Sequence, residues 1–253
     1  MKKETLLNIL GPVLFIVIWH CVLFFGKIDP YYIPGPIDIV KTFMFKIHSA
    51  APDGSTLMQH TWASVLTSLT GFVFAVLVGV PLGLFMGWQE KIDKSVRPLF
   101  DVFRQIPTPA WIPFSILWFG IGYFQRGFIV WSSAFIPVVI NSYYGIRNVP
   151  EIYVNLSRVF GFSEWEIFRK VYVPASLPQT FTGIVIGYGV SWFVLVAAEF
   201  MAASQGLGYM IWMASRLGRS DLIVLGMLLI GLIGAILTSL IKRIEDAVVK
   251  YQA

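Results

Sequence analysis

The chain is poor in charge, cysteine and histidine, and each shortage excludes something. Charged residues make up 13% of 253 positions, about half of the roughly 25% usual in a soluble domain. Apolar residues make up 57%. A soluble core of this length could not hide so much apolar surface, so lipid rather than water is the expected solvent. The single cysteine, Cys21, excludes an intrachain disulfide and leaves the compartment unread. His20, His48 and His60 stand apart from one another, which gives no metal-ligand cluster. No Gly-x4-Gly-Lys-Ser/Thr phosphate loop occurs; Gly26-Lys27 lacks the earlier glycine and is followed by Ile28. No nucleophile–base arrangement is legible either, so the chain by itself is not expected to be an enzyme. The net charge of +5 is scattered between apolar runs and forms no patch, which argues against nucleic acid as a partner.

What is present is a series of long apolar runs. They predict an all-α membrane protein, one transmembrane domain over 1–253, with six spans near 6–25, 65–88, 99–122, 128–146, 179–200 and 222–241. The first run holds about 20 residues, or about 30 Å of helix, the thickness of a hydrocarbon core. Lys2 and Lys3 imitate a signal peptide, but no small-residue cleavage site follows, so an uncleaved span is expected. His20, near the far end of that span, is expected at the interface. After the break at Pro34-Gly35-Pro36, Ile37, Val40, Met44 and Ile47 recur at helical spacing, the pattern of a short amphipathic helix on the membrane surface. Ala75, Gly79, Gly83 and Gly87 fall every four residues in the second span, which predicts a helix-packing face. Gly231 and Ala235 predict another in the sixth. Pro107, Pro109 and Pro113 interrupt the third span; such breaks are tolerated only against protein or water, so this segment should line an interior. Lys and Arg number twelve on one side of this topology and six on the other. The positive-inside rule therefore puts both termini, and the segment 147–178, in the cytoplasm.

Residues 155–178 form the longest polar stretch between two strongly apolar ones. Gly161 breaks it. Ser163 is a plausible N-cap, with Glu164 and Glu166 in the first turn after it and Arg169 and Lys170 in the last, as the helix dipole favours. Pro174 is expected to stop the helix before it. From the residues alone, this is either a solvated loop with a surface helix or a docking element.

The spacing favours the second. Gly161, nine residues, then Val171-Tyr172-Val173-Pro174, followed by Ala175-Ser176-Leu177-Pro178, resembles the cytoplasmic loop motif of the inner-membrane permease subunits of ABC importers. Gln105-Ile106-Pro107-Thr108-Pro109-Ala110-Trp111-Ile112-Pro113 with Leu117-Trp118-Phe119-Gly120-Ile121-Gly122, then Ala197-Ala198-Glu199 and Gly206-Leu207-Gly208-Tyr209-Met210, resemble the sulfonate, taurine, nitrate and bicarbonate branch. The motif's Glu-Ala-Ala is replaced by Asn155-Leu156-Ser157.

The resemblance implies a type I importer permease with a cytoplasmic coupling helix that docks on a separate ATPase dimer. ATP and magnesium would sit on that partner, with no cofactor and no metal on this chain. It implies coupling residues Gly161, Glu164, Trp165, Glu166, Ile167, Phe168, Arg169, Lys170 and Pro174, with Trp165, Ile167 and Phe168 as apolar anchors and the charges at the rim. It implies a second permease copy or close relative, an extracytoplasmic solute-binding protein, and a small anion as solute, in a bacterial or archaeal plasma membrane. Arg104, Gln105, Trp111, Asn141, Ser191, Trp192 and Glu199 are the polar or aromatic candidates for the pathway. Each could equally be interhelical glue, and Glu199 could cap a gate through Arg216 or Arg219. The rival readings are an ion-coupled secondary transporter or channel, though no inverted halves are visible, and a structural subunit of a membrane complex.

Overall fold

The computed structural model describes residues 2–27, 29 and 31–249. Every regular element among them is helical. In chain order these are α1 (Lys2–Gly26), α2 (Pro36–His48), α3 (Leu57–Trp88), α4 (Glu90–Gln105), a 3-10 turn (Thr108–Ala110), α5 (Trp111–Phe119), α6 (Tyr123–Arg147), α7 (Glu151–Val159), α8 (Glu164–Ile167), a π-turn (Phe168–Tyr172), α9 (Val173–Ala202), α10 (Leu207–Arg216) and α11 (Ser220–Val249). Four helical stretches among the described residues are long and apolar enough to cross a membrane: Leu57–Trp88, Tyr123–Arg147, Glu164–Ala202 and Ser220–Val249. The expected first span falls on α1, several of whose side chains, including those of residues 2–9, lie outside the described set.

Two expectations drawn from proline meet different outcomes. The segment 99–122 is not one helix. Ile106 is extended at ψ 116°, the conformation a following proline favours, and α5 resumes for only nine residues, or about 14 Å. Pro174, by contrast, does not stop its helix. The turn before it widens, so that Val173 N–H reaches back five residues to the Phe168 carbonyl, and the helix continues unbroken from Glu164 to Ala202. A π-turn of this kind makes room for a residue that has no N–H to give.

The chain divides into two compact units. In the unit formed by Ser64–Ser204 and Leu232–Ala253, α6 is the central post. The small-residue stripe of α3 lies on it. Ala75 is fully buried, and a Cβ on Gly83 would sit 2.5 Å from the Val139 carbonyl. From another side, a Cβ on Gly183 of α9 would lie 2.5 Å from the Asn141 Cβ. Backbones this close are what small residues permit in lipid. At the pair expected at Gly231 and Ala235, Gly231 faces open space; the glycines of α11 that lie against neighbours are Gly226, on Ile211, and Gly234, on the Trp192 indole.

In the unit formed by Met1–Ala63 and Gln205–Gly231, α2 buries Ile39 with Ala214, Leu222 and Leu225. Its other buried groups are polar. Thr42 donates to Asp221 Oδ2 at 2.7 Å. Lys46 is fully buried and donates to Asp53 and to the carbonyls of Ala51 (3.0 Å) and Ser55 (2.7 Å). Asp53 Oδ1 lies 3.2 Å from His60 Nε2, and His60 Nδ1 accepts from Gly206 N–H at 3.1 Å. Burial alone would raise the Asp53 pKa, but hydrogen bonds from His60 and Lys46 outweigh it and hold the carboxyl below its ordinary range. The expected apolar stripe of α2 is thus its outer face, with Ile37, Val40 and Met44 all exposed. Of the two lysines of α2, Lys46 is sealed and Lys41 is exposed.

Candidate coupling segment and embedded polar groups

The segment after α6 is built from local rules. Pro150 caps α7, which ends in a left-handed turn at Gly161, φ +81°. Gly161 N–H donates to the Arg158 carbonyl (2.9 Å) and Phe162 N–H to that of Ser157 (3.1 Å). This is a Schellman motif, and it explains why glycine stands at this position. Ser163 then opens α8 with a capping box: its hydroxyl accepts from Glu166 N–H (3.3 Å), and Glu166 Oε2 accepts from Ser163 N–H (3.1 Å). The expected N-cap is therefore present. Charged side chains pair within the segment, Arg158 with Glu164 and Lys170 with Glu166, both at 3.0 Å. The hydrogen bond to Glu164 holds the Arg158 guanidinium above its ordinary pKa. Arg169 is exposed.

Burial divides the expected apolar anchors. Ile167 and Phe168 are buried, and they hold the segment to its own protein. Ile167 packs with Val149 and Val154. Phe168 stacks on Trp88 (4.5 Å between centroids) and Phe85 (5.3 Å) at the end of α3, and Trp165 leans on Phe168 at 5.3 Å. Of the three, only Trp165 is exposed, at 54%. The exposed apolar face belongs instead to α7: Ile152 66%, Leu156 52%, Val159 82% and Phe160 73%. These positions are spaced four, three and one residues apart along α7, a helical signal that was available in the sequence. Where the motif's Glu-Ala-Ala would stand, Asn155 and Leu156 are exposed, and Ser157 is buried with its hydroxyl on the Tyr153 carbonyl. The segment is thus packed into its own protein at one side and apolar at the other.

The seven embedded candidates also separate by burial. Arg104 and Gln105 are exposed at the end of α4, with Arg104 paired to Asp101 at 2.9 Å. Trp111 is half-buried beside Phe103. The other four turn into the protomer. Asn141 donates to the Pro137 carbonyl and accepts from Gln179, both at 2.8 Å. Ser191 donates to the Tyr188 carbonyl (2.9 Å), and Trp192 lies against Gly234. Glu199, 1% exposed, accepts from Ser64 Oγ at 2.7 Å, and its Oε1 lies 3.8 Å from Arg126 Nη1. Arg219 pairs with Asp221 at 2.7 Å, and Arg216 lies over the Trp212 ring. Arg126, in the first turn of α6, is 7% exposed. Nothing in its local sequence announces that.

Residues 79–251 match the family model described as binding-protein-dependent transport system inner membrane component. The chain is 34% identical to an ABC transporter permease protein of Methanocaldococcus jannaschii, over 96% of this chain and 91% of that one. It is 29% identical to the taurine transport system permease protein TauC of Escherichia coli K12, over 94% and 86% respectively. With the nitrate import permease protein NrtB of Leptolyngbya laminosa the identity is 34%, over 85% and 78%. In fold, it is similar to a chain of the MetNI methionine ABC transporter solved in inward-facing conformations, with TM-score 0.63 at 21% identity, covering 77% of this chain and 95% of that one.

Proposed function

Because this chain belongs to the inner-membrane components of binding-protein-dependent transport systems, we propose that it forms half of a solute pathway and is driven by an ATPase held on the α7 face. Permeases of this family are multi-pass proteins of the prokaryotic plasma membrane. They are not enzymes and bind no cofactor; ATP is hydrolysed by a separate subunit. The ion-coupled and structural-subunit alternatives do not describe a member of this family.

One observation carries the coupling proposal: an apolar face over 152–160 stands in the open on a segment whose other side is stacked into the end of α3. An exposed apolar helix face beside a membrane bundle is what a groove on a soluble partner would cover. Trp165 completes the face, while Arg158, Glu164, Glu166, Arg169 and Lys170 supply a polar rim. Gly161 and Pro174 set the backbone path, and Ile167 and Phe168 pass movement into α3. In this reading six membrane segments, with the broken 99–122 stretch as the third, leave both termini in the cytoplasm.

A second copy of the chain completes the pathway. Leu99, Val102 and Leu117, exposed at 75%, 66% and 82%, give α4 and α5 an apolar flank for it, and Arg104, Gln105 and Trp111 are the candidates that open toward the pathway between copies. Asn141, Ser191, Trp192 and Glu199 act within one protomer. The solute is a small anion such as a sulfonate, taurine or nitrate, supported by the names of relatives at 29% and 34% identity, and an external binding protein delivers it.

The test is co-expression with the ATPase subunit and co-purification. V159S/F160S removes the two most exposed apolar side chains of the α7 face, and is expected to abolish co-purification and solute-stimulated ATPase while leaving the permease's own Tm unchanged. Retained co-purification would remove the α7 face from the coupling role.

A further inference from the structure

Glu199 and Arg126 are ionic groups almost wholly removed from solvent in a protein whose solvent is lipid, and the coupling role of 151–172 makes no use of them. Three helices meet at this place. Ser64 on α3, 2% exposed, gives its hydroxyl proton to Glu199 Oε1 at 2.7 Å. Arg126, in the first turn of α6, brings Nη1 to 3.8 Å from the same oxygen and turns its Nε–H to the Gly122 carbonyl at 3.2 Å. Glu199 itself lies in the last turn of α9. Gln125, fully buried beside Arg126, extends the tie to a fourth helix: its Nε2 donates to Ser115 Oγ of α5 at 3.0 Å. Close by, Ile112, Ile129, Val194 and Ala198 form an apolar core.

A buried ion pair is poor cement. Two apolar side chains of the same size hold helices together as well or better, because taking charges out of water costs about what their attraction returns. An ionisable residue inside a membrane bundle therefore points to a function. The physical property that a charge pair adds is steepness. Parting α6 from α9 would leave a cation and an anion apart in a medium that screens neither, so the arrangement favours one helix geometry over its neighbours. We infer that Glu199, Arg126 and Ser64 form a clasp that holds α3, α6 and α9 together at this end of the bundle and must part for the pathway to change access. The inference rests on the importer reading above. Arg126 and Glu199 are then positioning residues for transport, and they do not touch the solute.

The test uses the assembled complex of permease, ATPase and binding protein in liposomes, and reads basal ATPase against ATPase stimulated by solute-loaded binding protein. E199Q keeps the shape and the Ser64 bond but removes the charge. R126Q removes the other charge, and R126K retains it. E199Q and R126Q are each expected to raise basal ATPase about five- to tenfold, a usual size for conformational coupling, and to lower the stimulation ratio. R126K is expected to recover most of the parental ratio. S64A leaves both charges and should raise the basal rate less, about twofold, and serves if the charge variants do not assemble. A purely structural staple would lower Tm without moving the stimulation ratio. Parental basal rates in E199Q and R126Q, or in S64A where those do not assemble, overturn the clasp, as does R126K behaving like R126Q. A parental complex without solute-stimulated ATPase would instead overturn the importer reading and take the clasp with it.

Discussion

The charges around α2 and those around α7 and α8 are similar in kind and opposite in setting. Lys46, Asp53 and His60 are sealed, with side chains of Lys46 and Asp53 at 0% and 1% exposure. Arg158 and Glu164 pair at 3.0 Å with side chains 52% and 60% exposed. In the first cluster each group has lost its water and depends on its protein partners. In the second, water stands ready to replace whichever partner is removed. The apolar residues of α2 and of α7 both face outward; the proposed topology puts α7 in water, where an apolar face calls for a protein to cover it.

That contrast can be broken most forcefully at Lys46. K46M leaves Asp53 buried without its main cation and should destabilise the protein by about 3–5 kcal/mol, read as a large fall in Tm in detergent. A change within error would mean that the cluster is hydrated. Its pH dependence has a definite sign. A carboxyl held below its ordinary value contributes stability that is complete above about pH 4 and is lost as acid carries the pH through the lowered folded value. On this group's account, Tm is level from neutral pH down to about 4 and falls below it. D53N removes that acid-side fall.

Next comes Phe168, where the α8 region meets α3. F168A opens a cavity in the stack with Phe85, Trp88 and Trp165 and should cost about 3 kcal/mol or more. It should also uncouple ATPase from transport while α7 still binds the partner, which co-purification would verify. R158A stands last: its ion pair is open to solvent, and Tm is expected not to move. A measurable fall would show the exposed pairs to be more than a polar rim.

The Gly161-to-Pro174 register, the Ser163 cap and the small-residue stripe were readable because each is a local rule. A left-handed turn needs glycine, an N-cap needs a short polar side chain, and close helices need small residues at every fourth position. The continuation of the helix through Pro174 was not readable, since a π-turn is one local answer among several to a missing donor. Nor could periodicity tell which of Trp165, Ile167 and Phe168 faces inward: all three are apolar, and Phe85 and Trp88, which claim Phe168, lie about eighty residues earlier in the chain. The approach of Arg126 to Glu199 was not readable for the same reason: the two stand on different helices, far apart in the chain.

Composition and spacing alone, then, determined that this is a helical membrane protein, and motif spacing tied it to the permeases of ABC importers. Apolar content selects the solvent, and short motifs select turns, and both act through neighbours in the chain. Only the tertiary structure decided which polar groups are sealed and which are offered. Burial is set by what packs from elsewhere: α6 against α3 and α9, Phe168 into the α3 end, and Arg126 beside Glu199.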